Sequence, residues 1–401
     1  MFMTAPIPVD DDLAFALHRE AAGCLARGQP CIDATLGVIV NDDGTLAVLP
    51  SVVEAFRGLG AEDWAPYAHT AGLDEYCEAV LGDCFDLNPE LRQRAFAVAT
   101  AGATGALHVA LRTFLGPGQH FLIPALSWSA YSVIAHATER QIATFPMLRD
   151  SGRDFDVDAF DRALAHCMAE QKRALVVIND PCQNPTGYSM TTANWTAVAE
   201  VLDHHARRAP LVVVLDAVYH AFARDGIHTA LRALAPLTSR ALLLVAWSAS
   251  KSFTAYGARI GALVAVVPEG VERSSLRDTL SARGCGTWGN CNRGAMRVTA
   301  LLLTESTRRA RTSAERADLI RLLGRRNEAL ERALRASSLS SPPYRGGFFK
   351  TLFTPQAPDI AARLRTQGIY VVPLPGAIRV ALSALRSGDV APLGEALARV
   401  T

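Results

Sequence analysis

Six short runs between residues 94 and 267 are apolar almost throughout: "RAFAVAT", "HFLIPAL", "ALVVIND", "LVVVLDAV", "ALLLVAW" and "GALVAVV". A strand with one wet face alternates polar and apolar residues, so a run apolar on both faces must be covered on both. Between the runs lie longer helix-forming stretches such as "AGATGALHVALRTFL", "SWSAYSVIAHAT" and "ANWTAVAEVLDHHARRA". Buried strands alternating with helices predict an α/β fold, with a mostly parallel sheet between two helical layers. At 401 residues the chain exceeds one compact domain. A charged segment from Thr304 to Arg335 reads as one helix broken near Gly324, leading to a smaller α+β region with strands in "GGFFKTLF", "IYVVPL" and "AIRVALS". The expected division is an N-terminal arm with part of the small domain (1–45), a large domain (46–312) and a small C-terminal domain (313–401).

Charge and targeting signals exclude several classes. The formal net charge is +1, without the basic excess of a nucleic-acid or membrane-surface protein. Arg308, Arg309, Arg311, Arg316, Arg321, Arg325 and Arg326 interleave with Glu305, Glu315, Asp318, Glu328 and Glu331, which predicts a solvated, ion-paired helix face. His204 and His205 read as the solvated end of another helix. The start, "MFMTAPIPVDDDLAF", carries acid where a signal peptide carries base. "ALLLVAW" falls far short of the ~20 residues a membrane span needs. Eight cysteines without a C-x-x-C spacing suit reduced, mostly buried thiols in a cytoplasmic protein with no zinc site.

Cationic positions are nearly all arginine, with lysine at 172, 251 and 350 alone. Arginine cannot lose its proton and attack a carbonyl; lysine can. Lys251 stands in "SASKSFTAYGARIG", just past an apolar run, where ligands of open α/β sheets bind. Three further stretches fall at such ends. In "AGATGAL", Gly102, Ala103 and Thr104 open a helix whose free N–H groups favour a phosphate, with Arg259 and Ser248 as further contacts. Asp216 ends "LVVVLD", where a buried carboxylate suits a cationic ring nitrogen. In "QNPTG", Pro185 and Gly187 fix a turn that presents the Asn184 amide. A phosphate, a cationic heteroaromatic nitrogen, a polar ring substituent and a carbonyl for lysine are together met by pyridoxal 5′-phosphate, with Lys251 forming a Schiff base.

The motifs "NPTG", "LDAVY" and "SASKSFTAYGARIG", in that order, give the chain a resemblance to the fold-type I pyridoxal-phosphate enzymes, specifically class I aminotransferases of the aspartate and aromatic type. The resemblance implies Lys251 as Schiff-base lysine and general base, and Asp216 as partner of the ring nitrogen. It implies Asn184 and Tyr219 as donors to the phenolic oxygen and Trp128 as the stacking aromatic. Ala103, Thr104, Ser248 and Arg259 would form the phosphate cup. Tyr67, in "PYAHTAG", would reach a neighbouring subunit's phosphate, hence a homodimer with shared sites. Arg379 would clamp the substrate α-carboxylate, and Gly37 would make a backbone contact on a mobile segment.

The pattern departs from the family in "RGCGTWGNCNRGAM". The family's arginine that reaches from the partner subunit to bind a side-chain carboxylate falls on Cys285, and Cys291 and Asn292 replace two prolines; Arg283 is the alternative cation if this loop is remodelled. The histidine expected just after the stacking tryptophan is absent, its place taken by Tyr131. The expectation is therefore an aminotransferase acting on an amino acid and a 2-keto acid, other than a standard aspartate enzyme. The alternative keeps the same first step but ends in β- or γ-elimination, replacement, ring closure or C–C bond formation, S-adenosylmethionine-using synthases included. A transcription regulator would need a DNA-binding domain ahead of this match, which starts within the first few dozen residues.

Overall fold

The computed structural model describes residues 13–149, 152–335 and 337–400, so the first twelve residues of the expected arm lie outside it. Seven strands form the central sheet: β1 (Ala95–Thr100), β2 (His120–Pro124), β3 (Gln141–Phe145), β4 (Ala174–Asn179), β5 (Leu211–Asp216), β6 (Leu242–Ser248) and β7 (Gly261–Val266). Their spatial order is β1-β7-β6-β5-β4-β2-β3. Within this sheet β7 alone runs antiparallel to its neighbours, β1 and β6.

The apolar runs are explained by two cores. Val213 and Leu215 enter the core on one face, whereas Val214 enters the core on the other. Each such buried side chain is worth about 1.5–3 kcal/mol of transfer free energy. The sequence reading misses β3, because "QIATF" is short, half polar and exposed at the sheet edge.

Five helices matter to the site: α1 (Leu13–Ala26), α2 (Asp74–Phe85), α3 (Gly102–Phe114), α4 (Arg273–Trp288) and α5 (Ser306–Ala333). Where one helix broken near Gly324 is expected, α5 runs unbroken through Gly324 and begins after a break at Glu305. One glycine costs only about 1 kcal/mol in a helix, and packing against the C-terminal helix Ser387–Val400 exceeds that. Its charged face is also not wholly solvated. Arg308, Arg311 and Arg321 do pair with acids at the surface, with Glu305, Glu54 and Asp318. Arg326, however, is fully buried and bonds the Val40 carbonyl at 2.9 Å and Asp42 at 3.0 Å. Arg316 turns inward to the Ser252 carbonyl at 2.7 Å. His205 likewise is buried on Asp161 at 2.7 Å rather than solvated.

Beyond α5 lies the smaller α+β unit. Strands Phe349–Phe353, Val372–Leu374 and Ala377–Ala381 form an antiparallel sheet with its own core, including Leu330, Ile360, Val380 and Leu393. Ile32–Asp33 pairs with Ile369–Tyr370, which joins the start of the chain to this unit.

Candidate active site

Strands β4, β5 and β6 end at one edge of the sheet, and a cavity of about 540 Å³ opens there. The cavity is lined by Gly37, Ala103, Thr104, Trp128, Asn184, Asp216, Tyr219, Ser248, Lys251, Arg259 and Arg379. Residues separated by more than 300 positions therefore meet in one place. Of the sequence-derived candidates, Gly102 sits just behind this lining and Tyr67 lies outside it, 91% exposed.

Lys251 follows β6 in a one-turn helix. Its amine donates to the Gly37 carbonyl at 2.7 Å and lies 4.8 Å from the Tyr256 ring centre. Burial, then the positive charges of Arg259 and Arg379, pull it from 10.5 down to about 7. It is thus the one cation of the site that can be a free base near neutral pH.

Asp216 closes β5 and is 2% exposed. Its Oδ2 accepts from the Tyr131 hydroxyl at 2.6 Å, while Oδ1 is buried without a partner among the described residues. Burial pushes the carboxyl up to about 6 against the opposing Tyr131 bond. A buried, half-satisfied carboxylate facing a cavity is a demand for a cationic donor.

On one side the chain offers an anion cradle. Gly102 opens the 13-residue α3 with φ +71, and a Cβ there would meet Arg259 Nη2 at 2.7 Å, so glycine lets the guanidinium approach the helix N-terminus. Arg259 also bonds Ser250 Oγ at 3.3 Å, and the Ser248 hydroxyl accepts from the Ser250 N–H at 3.1 Å. On the other side, Arg379 is buried over the Phe349 ring at 4.8 Å and donates to the Thr35 carbonyl at 2.6 Å and to Asn184 Oδ1 at 3.4 Å. Trp128 and Tyr219 close the ends, with burial raising the Tyr219 hydroxyl far above its ordinary range.

Sequence reasoning misses Asn179, Ser250 and Tyr256, all in the lining. Asn179 sits beside Asp216 in register, donates to its carbonyl at 2.8 Å and accepts from the Asn184 N–H at 2.8 Å. Its place at the end of an apolar strand, like that of Asp216, was the available signal. Tyr256 accepts from the Ile39 N–H at 3.1 Å. Neither His69 nor His220 lines the cavity. The "GCGTW" stretch, read as loop, is the last turn of α4, where Cys285 and Arg283 face outward. Cys291 is buried with its thiol pushed up to about 12, so it is inert as a nucleophile.

The family "Aminotransferase class I and II" matches residues 33–397. Tyrosine aminotransferase of Klebsiella pneumoniae is 27% identical over 383 residues, 92% of this chain and 93% of that one. The crystal structure of an aminotransferase from Anaerococcus prevotii DSM 20548 has a TM-score of 0.92 and 27% identity, covering 100% of this chain and 99% of that one. An aromatic-amino-acid aminotransferase from Burkholderia pseudomallei, covalently bound to pyridoxal phosphate, has a TM-score of 0.83 and 24% identity, covering 100% and 98%. With its amine, buried carboxylate and anion cradle in one cavity, and a family match across nearly its whole length, the chain belongs to the class I and II aminotransferases.

Proposed function

We propose that the chain is a pyridoxal-phosphate-dependent aminotransferase that moves an amino group between an amino acid and a 2-keto acid. The observation that carries this reading is the buried, unpartnered Oδ1 of Asp216 in the same cavity as the deprotonatable Lys251 amine. These residues fit the cofactor: Asp216 would hold the ring nitrogen, Asn184 and Tyr219 the phenolic oxygen, and Trp128 a ring face. The α3 N-terminus with Ala103, Thr104, Ser248 and Arg259 would hold the phosphate. When bound, pyridoxal phosphate supplies an electron-withdrawing ring that takes up the electron pair left at the substrate Cα.

The chain's own groups do the rest. Lys251 would hold the cofactor through its amine, and the free amine would be the base that moves the substrate's Cα proton. Arg379 exchanges the Thr35 carbonyl for the substrate α-carboxylate, a charge-assisted and stronger partner. Gly37, on the same segment, fixes the amine's height through its carbonyl.

The substrate's side chain we read as uncharged. Ala14, Phe15, Leu36, Val38 and Phe349 complete the lining, and the cations there, Lys251, Arg259 and Arg379, are already engaged. Cys285 stands where the family's second arginine is expected, and a thiol cannot form that arginine's paired bonds to a side-chain carboxylate, so aspartate lacks a second clamp. The names of the relatives favour amino transfer over elimination, replacement or bond-forming endings.

The active form we read as a homodimer with shared sites, a reading supported by Tyr67, a tyrosine almost fully exposed and outside this chain's own cavity. A large domain (46–312) and a small one (313–401, with 1–45) would flank the cavity. A cytoplasmic location suits eight free thiols, six of them buried. Among the described residues no helix is long and apolar enough to cross a membrane.

The test adds single amino acids to the cofactor-loaded protein without any keto acid. Stoichiometric keto acid, with conversion of the bound cofactor to its amine form, is expected. Ammonia or a leaving group with the cofactor's original absorbance restored would refute amino transfer.

A further inference from the structure

Asp83, on α2, stands behind the cavity and contributes nothing to its lining. A single oxygen of this carboxylate, Oδ2, takes two donors: Trp247 Nε1–H at 2.8 Å and His220 Nε2–H at 3.0 Å. The other ring nitrogen of His220 lies 2.9 Å from the Ala217 carbonyl. A carbonyl and an ionised carboxylate only accept, so each ring nitrogen of His220 faces an acceptor, Asp83 on one side and Ala217 on the other. Burial would raise the Asp83 carboxyl, but the His220 bond and charge and the Trp247 bond hold it at about 2.

The two donors belong to the two segments that carry the site's reacting groups. His220 follows Tyr219 and closes, onto Ala217, the turn that begins at Asp216. Trp247 is fully buried, precedes Ser248 and leads into Lys251. Up to this point β5 and β6 are held in register by their ladder, whose last pair is Asp216 with Ala246. Past that pair the β5–β6 ladder ends, while Trp247 and Ser248 stay paired with β7 on the other side. Arg316 steadies the second segment, donating to the carbonyl of Ser252 at 2.7 Å and stacking 5.2 Å over Phe253.

We propose that Asp83 is a positioning residue: its carboxylate replaces the missing ladder and fixes the Asp216–His220 turn against the Trp247–Lys251 segment. Resting on the pyridoxal-phosphate reading above, this keeps the carboxylate that meets the ring nitrogen and the amine that meets the carbonyl at one separation. Misplacement of reacting groups by about 1 Å can cost on the order of 100-fold in rate.

The test is Asp83→Asn, which replaces the charged acceptor shared by His220 and Trp247 with a neutral amide, compared with wild type and with Asp161→Asn, a His–Asp pair of the same kind remote from the cavity. Expected for Asp83→Asn are an altered visible circular dichroism of bound cofactor, a shifted pH midpoint of its absorbance band, and a kcat lowered roughly 10- to 100-fold with KM nearly unchanged. Asp161→Asn is expected to leave all three at wild-type values. Should Asp83→Asn fail to fold, Trp247→Phe deletes one of the two bonds while keeping a buried ring, and smaller changes in the same direction are expected. A lowered melting temperature with wild-type dichroism, pH midpoint and kcat in whichever variant folds would overturn the proposal. If the wild-type protein itself binds no pyridoxal phosphate, the reading beneath it fails, an outcome separate from the first.

Discussion

Replacing Asp216 by asparagine is expected to stabilise the cofactor-free protein at neutral pH while abolishing turnover. Folding raises this carboxyl from 3.8 to about 6, chiefly by burial. A carboxyl raised on folding contributes stability only while protonated: the contribution is full below 3.8 and lost as pH climbs through about 6. The change corresponds to about 3 kcal/mol against folding at pH 8, since each pKa unit is worth about 1.4 kcal/mol. At pH 5 the folded carboxyl is still mostly protonated, and the same linkage leaves roughly half of that. Asparagine keeps the shape and an acceptor for the Tyr131 hydroxyl but does not titrate. The advantage of Asp216→Asn over wild type should therefore grow by roughly 1–2 kcal/mol between pH 5 and pH 8. Urea denaturation of both apoproteins at the two pH values measures it, with equal m-values as the check on the unfolded state. An advantage that stays flat or shrinks would mean that burial does not raise Asp216, and the site's demand for a cationic ring would lose its physical basis.

Covalent attachment of pyridoxal phosphate to the apoprotein should speed up as pH rises through about 7, where the depressed Lys251 amine becomes free base, and level off above; stopped-flow absorbance reads the profile, and Lys251→Met should show no attachment. Gly102→Ala puts a methyl group 2.7 Å from the Arg259 guanidinium at a φ of +71, and should weaken cofactor binding at least roughly 10-fold in a fluorescence titration. Arg379→Leu should raise KM for the amino acid by about 2–4 kcal/mol, roughly 30- to 1,000-fold, with cofactor affinity retained. Tyr131→Phe removes the side-chain donor that opposes burial at Asp216, so the acid limb of kcat/KM should move to higher pH.

The residues whose chemistry is fixed by type were readable from the chain. Lys251 and Asp216 stand at the ends of apolar runs, where a charged side chain has no structural excuse. Arg379 was legible only through resemblance, since nothing in "AIRVALS" marks it and its partners Thr35 and Asn184 come from distant parts of the chain. Asn179, Ser250 and Tyr256 escaped because polar residues of these types are ordinary beside a strand end; only the register of β4 on β5 and the fold of 35–39 over the amine give them meaning. Composition also misled on burial. Arg316, Arg326 and His205 look like surface charges by type, yet each finds a carbonyl or carboxylate inside the fold, and such pairing across 44 to 286 residues has no local signature. The α5 helix ran through Gly324 because tertiary packing outweighs a local propensity.

The reversed direction of β7 has a mechanical meaning for the cavity. A parallel strand after β6 would need a crossover of a dozen or more residues away from this edge, returning at the far end of the sheet. Because β7 turns back at once, residues 249–260 stay at the cavity rim, and one hairpin-like connection carries both the amine of Lys251 and the guanidinium of Arg259. These two grips, the amine and the guanidinium, are thus cast in a single piece of chain, clamped at its base by the pair Ser248 and Gly261. A slip of β7 by one residue would not loosen one grip and spare the other. It would move the whole jaw.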